Sequence, residues 1–272
     1  MKQILPPTAP IVENVDGLAA SLEGGVARLV IDRPARRNAI TLATWRGLTT
    51  HIDALSARPD VRAIILSGAG SDFSAGADIS EFDTERGNAA SARNYEAANA
   101  EAFAAVRNAR VPVIASIRGI CFGGGFGLAA AADLRIAAPD ALFSVPAAKL
   151  GLAYPQEAMV DIVSSLGPQL ARYLAFTGAR VDAAQALAAG FLLEVVDPAA
   201  LDQRVTEIAN QIAASAPLSV RASKLSIATV ITPRESAIRA AQEAGDITFE
   251  SADYAEGRSA FKQKRPPRFE GK

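Results

Sequence analysis

Two short loops in this sequence join small residues to strand-to-helix signals, a combination that leaves backbone N–H groups accessible. The first, Ser67-Gly-Ala-Gly-Ser-Asp-Phe-Ser-Ala-Gly-Ala-Asp78, follows an apolar run. Ala75, Gly76 and Ala77 shield their amides with nothing larger than a methyl group, and Asp78 suits the cap of a following turn. The second, Arg118-Gly-Ile-Cys-Phe-Gly-Gly-Gly-Phe-Gly-Leu-Ala129, runs a strand into Gly123, Gly124 and Gly125 and then an apolar helix. Helix N-terminal N–H groups favour a developing negative charge. No Gly-Lys-Ser/Thr follows, so this is not a phosphate loop. Alone, the first reads as an ordinary strand-to-helix loop and the second as a tight core turn. Together they could place N–H donors from two strands around one oxygen, and such donors contribute roughly 3–4 kcal/mol each in acyl chemistry.

Other reactive residues are few. The lone Cys121 excludes an intrachain disulfide and a cysteine-cluster zinc site, so no metal site is expected. The lone His51 lies within Thr41–Ala57, where Leu42, Trp45, Leu48, Ile52 and Leu55 recur at helical spacing, and it reads as a helix-flank residue. A serine triad would have to be built on that one histidine. Asp72 and Glu81 flank the first loop and read as solvent-facing or capping. Lys149 could bind a substrate carboxylate or stand on the surface, and Phe82 and Phe126 could face ligand or core.

The elements that must hold these loops alternate. Val26–Ile31, Arg62–Ser67, Val113–Arg118 and Leu134–Ala137 read as strands, with Leu42–Ala57 and Ser91–Asn108 as helices between them. This predicts an α/β protein. From Pro155 onward the pattern becomes helical: Gln156–Leu166, Pro168–Thr177, Ala183–Ala189, Ala200–Ala214, Leu218–Ile231 and Pro233–Ala255. Pro168 and Pro233 sit where a first helical turn tolerates proline. We divide the chain into an α/β core, 1–200, and a helical C-terminal region, 201–272.

The composition, half hydrophobic and only 6% aromatic with a formal charge of −1, fits a globular protein with no field for a polyanion, so nucleic acid is not an expected partner. Met1–Asn14 lacks the pattern of a secretory signal, and no apolar stretch reaches the ~20 residues that span a bilayer. A cytoplasmic enzyme without a membrane partner is the expectation.

The paired loops resemble the two oxyanion-hole motifs of the crotonase (enoyl-CoA hydratase/isomerase) superfamily. Asp32-Arg-Pro-Ala-Arg-Arg-Asn-Ala-Ile40 resembles its early coenzyme A-binding segment, and Arg110-Val-Pro-Val-Ile-Ala-Ser-Ile-Arg-Gly119 the approach to its glycine motif. The resemblance runs from about Val26 to Arg265. It implies a spiral of ββα units whose helical C-terminal region assembles trimers, often paired into hexamers. It also implies an acyl-CoA thioester substrate, with coenzyme A entering as part of that substrate and no separate cofactor. Carried over by position, the backbone N–H groups of Ala77 and Gly124 are the oxyanion donors, and Arg36, Arg37, Ala75 and Asp78 line the coenzyme A site. The end of the chain, Glu256-Gly-Arg-Ser-Ala-Phe-Lys-Gln-Lys-Arg265, resembles the family's C-terminal helix, in which Phe261 and Lys264 would reach the nucleotide, commonly on a neighbouring subunit.

The family's two hydratase glutamates are replaced by Gly127 and Ala147. General acid–base groups contribute about 10²–10⁴-fold, so ordinary hydration is not expected, and the loss at Ala147 also weakens an ordinary isomerase reading. Tyr154, in Leu-Gly-Leu-Ala-Tyr-Pro155, falls where crotonase-type methylmalonyl-CoA decarboxylases carry a catalytic tyrosine. The resemblance therefore implies a lyase or isomerase acting through a thioester enolate. The alternatives are a decarboxylase using Tyr154 and a non-catalytic scaffold that binds coenzyme A.

Overall fold

The computed structural model describes residue 12 and residues 15–272. The segment Met1–Asn14, read above for a targeting signal, lies outside the described residues apart from Val12. A hairpin opens the fold: β1 (Leu18–Glu23) pairs antiparallel with β2 (Val26–Ile31) across Gly24-Gly25. Both glycines have positive φ, 57° and 83°, which a two-residue turn matched to strand twist requires.

After α1 (Leu42–Ala57), strand β3 (Ala63–Gly68) pairs parallel with β2. Next come α2 (Phe82–Glu85), α3 (Ala89–Asn108), β4 (Val113–Ile117), β5 (Ile120–Phe122), α4 (Gly124–Ala131), β6 (Leu134–Ala137) and β7 (Leu142–Ser144). The remaining elements are α5 (Gln156–Leu166), α6 (Pro168–Thr177), β8 (Arg180–Asp182), α7 (Ala183–Ala188), β9 (Glu194–Val195), α8 (Leu201–Ala213), α9 (Pro217–Ile231), α10 (Glu235–Glu250) and α11 (Ala252–Gln263).

The strands form two sheets, one of six in the order β1-β2-β3-β4-β6-β9 and one of three in the order β5-β7-β8. The first four strands all enter the large sheet, and only from β4 to β7 does the chain alternate, with β4 and β6 in the large sheet and β5 and β7 in the small one. The middle of the large sheet is parallel and apolar on both faces, as expected of a sheet covered on both sides. Ala27, Leu29, Ile64, Leu66 and Ala115 face the main core with α1 and α3. Val26, Ala63, Ile65, Ile114 and Ile136 face a second core closed by Leu201, Val205 and Ile208 of α8.

The structure is α/β with a helical C-terminal region, as the alternation predicts. It corrects several details. The strands β1, β5, β7, β8 and β9 were not anticipated: most are two or three residues long, and β1 (Leu-Ala-Ala-Ser-Leu-Glu) carries no β-branched residue. The expected helix Pro233–Ala255 is two helices. Ser251 is extended (φ −73°, ψ 148°) and its hydroxyl accepts the N–H of Tyr254 at 3.1 Å, which stops α10 and starts α11. Pro233 lies before the first turn rather than in it, because α10 starts at Glu235. His51 lies within α1, as its spacing predicts, and is buried there with Nδ1 2.8 Å from the Gly47 carbonyl oxygen.

Candidate active site

The site is assembled by three segments that come together past the C-terminal ends of β3 and β4. From the first of them, Phe73 N–H donates to the Arg118 carbonyl (2.8 Å) and Ser74 N–H to that of Ile120 (2.9 Å), while Phe122 N–H returns to Ser74 (3.0 Å). These bonds tie the Ala75–Asp78 loop to β5, which leads into the triple glycine. The second loop is thereby placed by the first.

The Asp32–Ile40 segment closes on the other side. Arg37 and Asn38 adopt left-handed backbone (φ 51° and 54°). The Arg37 carbonyl accepts the Ala75 N–H (2.9 Å), Ile40 N–H donates to Gly76 (2.8 Å), and Asp78 N–H donates to Ile40 (2.9 Å). In this strand-like pairing Ala77 alternates with its neighbours, so its own N–H points away from Ile40. Asn38 is fully buried and staples the turn: Nδ2 donates to the carbonyls of Ala69 (2.8 Å) and Asp72 (2.6 Å), and Oδ1 accepts the Arg33 N–H (3.0 Å). Ser74 Oγ donates to the Asn38 carbonyl (2.7 Å) and accepts the Gly76 N–H (3.0 Å).

Gly76 shows how close the loops come. At its φ of 90°, a Cβ would lie 2.9 Å from the Gly124 nitrogen and 2.7 Å from the Phe122 carbonyl oxygen. A Cβ on Gly124 would lie 3.8 Å from the Ala77 nitrogen. Among the described residues no acceptor takes either the Ala77 or the Gly124 N–H. Gly124 is the first residue of α4, where the N–H is unsatisfied by helix geometry. Two free donors thus meet in one place, and both residues are only partly buried.

Behind them stands a rigid aromatic wall. Trp45 of α1 is fully buried, and its ring would be 2.6 Å from a Cβ on Gly124. Trp45 Nε1 donates to Tyr95 Oη (3.3 Å), whose hydroxyl donates to the Ile40 carbonyl (3.0 Å). Burial pushes the Tyr95 phenol up to about 12, so it stays a donor. Phe103 of α3 packs edge-on to Trp45 (5.7 Å between centroids), and its ring fills the space that a side chain at Gly127 would take, 2.5 Å from a Cβ there.

The hydroxyl of Tyr154 donates to the carbonyl oxygen of Gly123. Burial foremost, and then the charge of Glu96, push this phenol well above its ordinary value. Asp78 caps the turn at Ile79, accepting the Ser80 N–H (3.1 Å), and pairs with Arg33 at 2.8 Å; burial raises its carboxyl, but the Ser80 and Arg33 bonds outweigh this and hold it below the usual range. Arg36 and Arg37 are exposed beside this pair.

The remaining sequence candidates divide. Ala75, Ala77, Asp78, Gly124, Tyr154 and the Arg36–Arg37 turn are brought together. Phe261, 87% exposed near the end of α11, and Lys264, just past it, make no hydrogen bond or ion pair with these loops among the described residues. Lys149 Nζ donates to the Gly178 carbonyl (2.8 Å) at the C-terminal end of α6. Glu81 accepts the N–H of Leu42 at the start of α1, and Asp72 accepts that of Ile120 at the start of β5, each at 2.8 Å. Phe126 belongs to the core, stacked on Phe191 at 5.0 Å. Phe82 lies against the Arg86 guanidinium, 4.4 Å from its ring centre. Sequence reasoning missed Asn38, Trp45, Tyr95 and Phe103 as site residues. Only Asn38 carried a local signal, as a residue type that tolerates left-handed backbone in a polar turn.

The family model for enoyl-CoA hydratase/isomerase matches residues 21–272. The chain is 33% identical to the short-chain-enoyl-CoA hydratase of Clostridium acetobutylicum over 245 residues, covering 89% of this chain and 93% of that one. It is 35% identical to a Mycobacterium tuberculosis hydrolase of (7aS)-7a-methyl-1,5-dioxo-2,3,5,6,7,7a-hexahydro-1H-indene-carboxyl-CoA, covering 89% and 96%. The crystal structure of an enoyl-CoA hydratase/carnithine racemase from Magnetospirillum magneticum superposes with a TM-score of 0.88 at 36% identity, over 95% of this chain and 97% of that one. The family match and these relatives mark an acyl-CoA enzyme. The chain belongs to the enoyl-CoA hydratase/isomerase family.

Proposed function

We propose that the protein stabilises the enolate of an acyl-CoA thioester between the N–H groups of Ala77 and Gly124, and that it hydrates simple enoyl-CoA poorly. The observation that carries this reading is the meeting of two backbone donors from separate loops, unpartnered among the described residues and backed by Trp45. A thioester carbonyl oxygen seated there gains negative charge as the enolate forms, and preorganised donors stabilise that charge more than the ground state. Gly127 and Ala147 supply no carboxylate, and the Phe103 ring occupies the space beside Gly127.

Tyr154 serves in this reading as a positioning residue. Its proton is committed to the Gly123 carbonyl, which weighs against a substrate-facing role in decarboxylation. Coenzyme A would lie along the Arg36–Arg37 turn and the Ala75 loop, its phosphates near those exposed guanidinium groups. Trimers, or trimers paired into hexamers, would use the helical C-terminal region, where Ile227, Val230, Ile231, Ile247 and Phe249 are exposed. Phe261 and Lys264 would then serve a neighbour's nucleotide.

The test is a panel of acyl-CoAs, including malonyl, methylmalonyl, dienoyl and aromatic enoyl thioesters, scored for turnover and for thermal stabilisation. A ligand at 100 times its Kd adds about 2.7 kcal/mol. Turnover of a panel member with crotonyl-CoA hydration far below it supports the reading. Stabilisation without turnover favours a scaffold, and brisk crotonyl-CoA hydration contradicts it.

A further inference from the structure

With both usual carboxylate positions empty, the enolate reading leaves open which group takes the proton from carbon. Along α3, Glu96, Asn99 and Phe103 are spaced i, i+3 and i+7 and so share one face. Phe103 touches Gly127 of α4, and Tyr95, beside Glu96, bonds to Trp45, which packs against Gly124. Going back along this face from Phe103 therefore leads from the flank of α4 toward its N-terminus, where the two free N–H groups lie.

Two observations mark this place as built for a ligand. The Glu96 carboxylate, its side chain 34% exposed, is half-used: Oε1 is held by Arg86 at 2.9 Å, while among the described residues Oε2 has only the long 3.4 Å contact to Asn99 Nδ2. Asn99 is 6% exposed, and its Oδ1 is buried without a hydrogen-bond partner among the described residues. Buried acceptors of this kind are rare in native proteins and call for a donor. Arg86 is fixed in turn, its guanidinium 4.4 Å from the centre of the Phe82 ring and 4.1 Å from that of Tyr95. Glu96 also lies near enough for its charge to act, after burial, on the Tyr154 phenol, whose hydroxyl holds Gly123.

We propose that Glu96 is the proton-shuttling base of this site, with Asn99 orienting it and Arg86 keeping its first oxygen fixed. The inference rests on the enolate reading above. In the step, Glu96 Oε2 removes a proton from the carbon α or γ to the thioester. The C–H bond breaks, and its electron pair moves into the enolate, whose oxygen is held by Ala77 and Gly124. The proton resides on Glu96 and returns to the same or the other carbon, so the reaction is redox-neutral and needs no co-reactant. Asn99 Oδ1 would accept a hydroxyl or a water bound beside the acyl chain.

The experiment is α-proton exchange in deuterium oxide, followed by mass spectrometry, using acetyl-, butyryl-, octanoyl- and phenylacetyl-CoA with binding verified by thermal shift. The wild type is expected to deuterate at least one bound thioester. Glu96→Gln should slow this by 10²–10⁴-fold, the usual contribution of a positioned acid or base. Glu96→Asp, which retains the carboxylate, should recover part of the rate, and both variants should bind the same thioester as tightly as the wild type. Undiminished exchange by a folded Glu96→Gln protein overturns the assignment of Glu96 and leaves the enolate reading standing. No exchange by the wild type on any thioester it binds overturns the enolate reading, and Glu96 with it.

Discussion

Tyr154 donates its hydroxyl proton to the carbonyl oxygen of Gly123, and that carbonyl belongs to the same peptide group as the N–H of Gly124. In a trans peptide the two point in opposite directions. A hydrogen bond to the carbonyl therefore orients and polarises the N–H on the far side, as in any hydrogen-bonded chain. Removing it in Tyr154→Phe forfeits a net contribution of about 1 kcal/mol, or roughly fivefold in turnover. The expected pattern is a lower kcat with little change in thioester affinity. Total loss of activity, retained binding and a new pH dependence would instead assign the phenol to proton transfer.

Gly124→Ala is not a mild change here. The added methyl would sit 2.6 Å from the buried Trp45 ring, so overpacking should cost about 1–3 kcal/mol of stability besides narrowing the site. Trp45→Phe in the same chain makes room. Chemical denaturation of the two single variants and the double variant should show a favourable coupling between positions 45 and 124, and additive effects would refute this contact.

Placing a carboxylate at position 127 should fail for a packing reason. A Cβ there meets Phe103 at 2.5 Å, so Gly127→Glu is expected to lower the melting temperature, whereas Ala147→Glu, at a partly exposed position, should be tolerated. Thermal melts of both variants check this. A Gly127→Glu protein as stable as the wild type would contradict the placement of the Phe103 ring.

Tyr95 carries a pH prediction. Burial raises its folded-state value to about 12 from an ordinary value of 10, so folding favours the neutral phenol. Its contribution is fully present below pH 10 and is lost as pH rises toward 12, by up to ~3 kcal/mol. Urea unfolding between pH 9 and 12 should show the stability gap between wild type and Tyr95→Phe closing as pH rises. A constant gap would show that Tyr95 ionises at its ordinary value.

The two donor loops could be read from the sequence because each is local: small residues, a preceding apolar run and a following helix are all contained in a dozen positions. What surrounds them could not. Trp45 and Phe103 follow the spacing of ordinary core residues on α1 and α3, and only the folded chain shows that they stop against Gly124 and Gly127. Glu96 likewise sits in a charged, alanine-rich helix with no motif around it. The long helices came close to their observed bounds because period and caps agree, as at Leu42–Ala57, whose start is capped by Thr41. The short strands β5, β7 and β8 escaped because three residues cannot show a period. The break at Ser251 escaped because its signal is a hydroxyl cap, without glycine or proline.

The central claim is that the N–H groups of Ala77 and Gly124 grip one thioester oxygen. Infrared difference spectroscopy of a bound acyl-CoA labelled with ¹³C at the thioester carbonyl measures this directly, because hydrogen bonds weaken the C=O bond and lower its stretching frequency. The account predicts a band displaced to lower wavenumber than that of the free thioester, returning toward the free position in a folded Gly124→Pro protein, which lacks that donor. A band at the free position in the bound wild-type complex would contradict it.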